Sequence, residues 1–135
     1  MEVKTFAPAA LVTAAFFFAH YFIDLPAITK ARKAGKIPFP RTTGTPEMDR
    51  AFRVQANQLE QLPGFLSGLY AFSAFVSPTI AGYLGTGWVV LRMLYGMQYR
   101  RSANFKYLLP YTIPAYVIVL GLHGTVAYTA LKMLL

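Results

Sequence analysis

The chain has 135 residues, of which 56% are hydrophobic and only 13% charged, with thirteen Lys and Arg against five Asp and Glu for a net charge of +8. A soluble domain of this size must cover a large surface with polar groups, and these counts exclude that. They exclude disorder as well, which leaves lipid as the simplest solvent for the remaining surface.

The first apolar run extends from Phe6 to Ile28, with no charge before Asp24. It is long enough to cross a bilayer at about 20 residues per span. Its bases lie mostly after it and it is longer than a typical signal core, so it reads as a retained span rather than a signal sequence. A basic loop over 29–46 comes next, punctuated by Gly35, Pro38, Pro40 and Gly44. Thr45 then suits an N-cap, Pro46 suits the first helical position, and Glu47 and Asp49 complement the helix dipole. This predicts a second helix over 47–76, kinked at Pro63 and ended by Ser77 and Pro78. A third segment spans 79–99. A short basic turn, Arg100 to Lys106, leads to a fourth over 107–134. No segment alternates with period two, which argues against a β-barrel.

The expected fold is thus an all-α membrane protein, a bundle of four transmembrane helices in a single domain over 1–135. Eleven of the thirteen bases lie in or near the first and third connections; only Lys4 and Lys132 do not. By the positive-inside rule that side is cytoplasmic and both termini lie on the non-cytoplasmic side. Bases gathered between apolar runs also argue against a nucleic-acid partner, which needs them spread over a soluble face. The chain has no Cys, so there is no disulfide framework, thiolate metal site or thiol nucleophile. His20 and His123 form no close metal-ligand pair, and no metal is expected. Each reads better as an interhelical hydrogen-bonding residue.

The most informative stretch is Arg50 to Pro63. At about 100° per residue, with Arg50 at zero, Arg53 falls near −60°, Asn57 near −20° and Glu60 near −80°. Gly64, Ser67 and Ala71 continue this arc with small residues, which let helices approach closely in lipid. Gln55 points almost the opposite way and suits a neighbouring subunit's pocket rather than its own. On the third helix Trp88, Arg92, Tyr95 and Tyr99 share an arc, with Arg92 about two turns inside the cytoplasmic end. An ionisable residue at that depth is a functional candidate by default, and Glu60, at similar depth, is its expected partner. Such a cavity suits a small zwitterionic peptide of net negative charge, because Arg grips carboxylates in bidentate fashion.

Plainer readings stand beside this one. Arg50 and Arg53 can serve as snorkelling anchors. A Glu60–Arg92 pair can simply lock two helices, and Tyr95 with Tyr99 can form an interfacial aromatic belt. Asp24 suits pairing with a loop base. Gly82, Gly85 and Gly87 suit close packing rather than a phosphate loop, since no strand precedes them.

Three pieces carry a resemblance to a known family: Arg41-Thr-Thr-Gly-Thr-Pro-Glu47, Arg53-Val-Gln-Ala-Asn-Gln-Leu-Glu60 with Pro63, and Tyr95-Gly-Met-Gln-Tyr-Arg-Arg-Ser-Ala103. With four spans in this order, the chain resembles the membrane-associated proteins in eicosanoid and glutathione metabolism (MAPEG). That superfamily includes microsomal glutathione transferases, leukotriene-forming synthases and the lipoxygenase-activating protein. The resemblance implies a homotrimer that binds glutathione between adjacent subunits near the cytoplasmic side. It implies that Arg53 and Asn57 hold glutathione's carboxylate and backbone and that Glu60 holds its ammonium. Tyr95 and Tyr99 would line the site, Gln55 would come from the neighbouring subunit, and Arg32 would add a contact; Arg92 joins the glutathione-binding set on its depth in the span. Two family arginines linked to thiol or acceptor activation appear here as Lys33 and Lys106. A lysine keeps the point charge but loses the planar fork. Gln61 stands where close relatives have a tyrosine. The implied activity is glutathione transfer to hydrophobic electrophiles dissolved in the membrane, a general conjugating and detoxifying role, with reduction of lipid hydroperoxides as a side activity. The alternative is a non-catalytic lipid-binding or scaffold member.

Overall fold

Helix signals in the sequence set the architecture. The structure, a computed structural model, describes residues 1–135 and contains no strand. The first helical segment, α1, is Val3–Ala34. Its first turn is a 3-10 helix and its middle, His20–Asp24, is π-helical. The others are α2, Pro46–Phe75; α3, Pro78–Arg101; and α4, Phe105–Leu134.

The N-caps follow the side chains that can supply them. Thr45 Oγ1 accepts from the Met48 N–H at 3.2 Å, and Ser77 Oγ accepts from the Ile80 N–H at 3.3 Å. Asn104 Oδ1 accepts from the Lys106 N–H at 3.0 Å and starts α4. α2 runs on through Pro63, and α4 through Pro110 and Pro114. The basic connection is shorter than the sequence suggests. Helix α1 continues past Ile28 to Ala34, because Ala, Lys and Arg are good helix formers and bases in a last turn suit the helix dipole. Arg32 and Lys33 therefore sit on a helix. Gly35 ends it, and its backbone passes so close to Thr45 that an added Cβ would lie 2.9 Å from Thr45 Cγ2.

Helix α3 is the centre of the bundle and packs against α1, α2 and α4; α2 also packs against α4. The core gathers Val12 and Phe16 of α1, Phe65 and Leu69 of α2, Trp88 of α3 and Leu122 of α4. Phe65 stacks on Trp88 with centroids 3.7 Å apart and rings 7° from parallel. Gly82 and Gly85 do serve close packing. A Cβ on Gly85 would lie 2.9 Å from both Leu69 and Val12, and one on Gly82 would lie 2.8 Å from Pro8.

Only 26 of the 135 residues are buried in one chain, so most of the apolar surface needs lipid or neighbouring subunits. Ile113, Val117, Leu120, Tyr128 and Leu131 all lie exposed along α4. Helices α1 and α4 are each long and apolar enough to cross a membrane. Helices α2 and α3 fall below that measure, and these two carry Arg53, Asn57, Glu60, Arg92, Tyr95 and Tyr99.

Buried polar groups are paired. Asp24 accepts from Arg100 at 2.8 Å, so its partner is a base at the end of α3. His20 lies 3.4 Å from Asp24. This corrects the expectation of an interhelical role for His20: the two residues are four apart on one helix and share a face. His123 does bridge helices, with Nε2 2.8 Å from the Gly64 carbonyl oxygen.

Candidate functional site

The i, i+4 spacing of Arg53 and Asn57 on α2 puts both on one side of that helix. The 92, 95, 99 spacing does the same on α3. Where the two sides meet α4, they enclose a cavity of about 320 Å³ lined by Arg53, Asn57, Arg92, Tyr95 and Tyr99, with Ala103, Phe105, Leu108, Thr112 and Tyr116. This is within the size range of small-molecule sites.

The two arginines differ. Arg53 is half-exposed and donates to Glu60 Oε1 at 2.9 Å; both side chains face solvent across two helical turns. An exposed pair of this kind contributes about 0–1 kcal/mol, so a ligand bearing a carboxylate and an ammonium can exchange with it at little cost. Arg92 is only 3% exposed. Its Nε donates to Gln58 Oε1 at 2.8 Å, and its Nη2 donates to Asn57 Oδ1. Its Cζ lies 4.3 Å from the Tyr95 ring centroid and 5.9 Å from that of Trp88.

The expected Glu60–Arg92 pair is therefore absent. The buried side of α2 is Val54, Gln58 and Leu62, and it faces α3. Glu60 lies about 160° round the helix from Gln58 at 100° per residue, on the exposed flank. Amides replace the carboxylate as partners of the buried cation. Gln58, wholly buried, is the residue that sequence reasoning missed. Its signal was a lone amide in an otherwise apolar stripe.

Other singled-out residues lie elsewhere in a single chain. Arg32 donates to the carbonyl oxygens of Pro38 at 3.4 Å and Arg41 at 2.5 Å, and so ties down the basic connection. Lys33 lies on the outer face of α1, beside Tyr21, Leu25, Pro26, Thr29 and Lys30, in a wider recess of about 560 Å³. One helix alone forms that recess, so it is an open surface rather than an enclosed site. Gln55 is half-buried and does not line the cavity. Lys106 is exposed one residue after Phe105, whose side chain does line it. Thr112 and Tyr116 were not anticipated; they enter because of the direction in which α4 faces.

The fold and cavity define a helical membrane protein with a cationic, tyrosine-lined polar site among three of its helices. The chain belongs to the MAPEG family, whose model matches residues 9–130. A protein of Synechocystis sp. is 39% identical over 95 residues, covering 70% of this chain and 69% of its own length. Mouse leukotriene C4 synthase is 33% identical over 107 residues, 79% of this chain and 68% of its own. Human microsomal glutathione S-transferase 2 is 34% identical over 77 residues, 57% of this chain and 52% of its own.

Proposed function

We propose that this protein is a membrane-bound glutathione transferase, built as one domain of four spans and active as a homotrimer. The observation that carries the reading is the convergence of Arg53, Asn57, Arg92, Tyr95 and Tyr99 on one cavity, with Glu60 held on Arg53. Glutathione is a tripeptide with two carboxylates and one ammonium. Arg53 and Asn57 take a carboxylate and the peptide backbone, Glu60 takes the ammonium, and Arg92, Tyr95 and Tyr99 form the wall behind them. Relatives named as a glutathione S-transferase and a leukotriene C4 synthase support this reading.

The site works towards the cytoplasm, with both termini on the opposite side, because the bases gather around the first and third connections. A neighbouring subunit supplies Gln55 and, with Arg32, completes the glutathione contacts. The arc of exposed Gly64 and Ser67 and half-buried Ala71 continues the Arg53–Glu60 face and offers a close-packing surface for that neighbour.

The nucleophile is the glutathione thiolate, which nearby cations stabilise. Lys106 and Lys33 fill this role, and it is the assembled trimer that brings them to the sulfur. The thiolate attacks an electrophilic carbon of a lipid-dissolved substrate, forming a C–S bond while the leaving group departs with its electron pair. The protein contributes position and charge. With a hydroperoxide, the same thiolate takes the terminal oxygen as a sulfenic acid while the O–O bond breaks and the departing alkoxide is protonated to the alcohol; a second glutathione thiol then displaces that oxygen as water and forms the disulfide.

A single observation favours the other reading, a non-catalytic lipid-binding protein: neither Lys106 nor Lys33 lines the cavity of one chain. The two readings separate in vesicles containing purified protein, glutathione and an activated aryl halide. Saturable thioether formation that disappears in Glu60→Ala supports the transferase. Glutathione binding with no turnover of any electrophile supports the lipid binder.

A further inference from the structure

Arg92, Gln58 and Asn57 form a chain of hydrogen bonds whose direction is fixed by chemistry. A guanidinium has donors only, so each atom facing it must be an acceptor. Gln58 therefore turns Oε1 to Arg92 Nε at 2.8 Å, and its own Nε2 donates to the Arg92 carbonyl oxygen at 3.0 Å. This is a two-point clasp between α2 and α3, wholly buried at Gln58. It leaves Arg92 Nη2 directed at Asn57, which must answer with Oδ1.

We propose that Gln58 is a positioning residue that sets the polarity of the Asn57 amide. Acting through Arg92, it holds the Asn57 oxygen against the guanidinium, so that the amide N–H donors are the groups offered to the cavity. That corner of the pocket therefore takes an acceptor oxygen, a carbonyl or carboxylate of the ligand, and rejects a donor. The inference rests on the glutathione reading for its ligand, but the clasp itself does not. Arg92 here acts by orienting its neighbour, and the Tyr95 ring below it limits where the guanidinium can go.

The test is a double-mutant cycle on glutathione binding, measured with purified full-length protein. Gln58→Met keeps the volume and removes both hydrogen bonds. It is expected to weaken binding about fivefold to tenfold, the equivalent of about 1 to 1.4 kcal/mol. In an Asn57→Ala background the same change should have less than about a twofold effect, because the group it orients has gone. An equal loss in both backgrounds overturns the proposal, since it would show a general packing role. No loss in either also overturns it. Asn57→Asp offers acceptors only and should bind glutathione at least about tenfold more weakly; undiminished binding would mean that the amide oxygen faces the ligand. If Gln58→Met does not fold, Gln58→Glu retains the acceptor for Arg92 Nε and should bind within about threefold of wild type, and a larger loss in a folded Gln58→Glu protein contradicts the account. If wild type itself does not bind glutathione, the ligand reading fails by itself. The clasp is then read from the Asn57 side-chain amide resonances of isotopically labelled protein. They shift in Gln58→Met if Gln58 holds Arg92, and stay in place if it does not.

Discussion

The cavity among α2, α3 and α4 and the outer face of α1 are both cationic, yet they are built differently. Arg92 in the cavity is buried, and Gln58 and Asn57 fix its direction. Lys33 on α1 lies on an open face. A buried cation must be hydrogen-bonded to remain charged, and those bonds also aim it. An exposed lysine is satisfied by water and aims at nothing until a partner surface covers it. One chain therefore builds the cavity that holds Arg53, Asn57, Arg92, Tyr95 and Tyr99 together. In the proposed transferase, the part that handles the thiol depends on assembly.

The largest expected effect breaks the ordered half. Arg92→Met leaves the side-chain oxygens of Gln58 and Asn57 without their donor, at about 1–3 kcal/mol for each orphaned buried group. The thermal unfolding midpoint in detergent should fall and glutathione binding should weaken more than a hundredfold. Retained binding would mean that the cavity is not the glutathione site.

Removing either exposed charge tests recognition without disturbing the core. Arg53→Ala and Glu60→Ala should each raise the glutathione dissociation constant at least about tenfold, or 1.4 kcal/mol, with thermal stability unchanged. The two halves separate in kinetics. Lys106→Met should lower kcat about tenfold while the dissociation constant changes less than threefold, since a cation that acts on the developing thiolate serves the reaction more than binding. Co-expressing Gln55→Ala subunits with Arg53→Ala subunits sharpens the comparison further. If the site lies between chains, mixed trimers contain sites with both native residues and recover activity. If each chain is self-sufficient, they do not recover more than the two parents.

The smallest effect lies away from both regions. Thr45→Ala removes the cap on α2 and should cost about 1 kcal/mol in stability, with glutathione affinity unchanged. Thermal unfolding and a binding titration check the two halves of this statement.

Much of this arrangement was legible along the chain because it depends on local periodicity. The cap at Thr45 and the shared arc of Arg92, Tyr95 and Tyr99 follow from side-chain chemistry and helical spacing alone. What a helix faces was less legible. Glu60 looked like the partner of Arg92 because opposite charges at similar depth suggest a pair, but the azimuth of α2 turns Gln58 inward and Glu60 outward. Asp24 needed a base, and the sequence did not distinguish Arg100 from the loop bases nearer to it in the chain. Thr112 and Tyr116 entered the cavity wall through the orientation of α4, which contains two prolines and exposes apolar residues on several sides.

The most direct test of the central claim is a calorimetric titration of the detergent-purified protein with glutathione in two buffers of different ionisation enthalpy. The account predicts saturable binding, lost in Glu60→Ala, with a heat that depends on the buffer because the assembled site releases the thiol proton. No saturable heat in either buffer would contradict it.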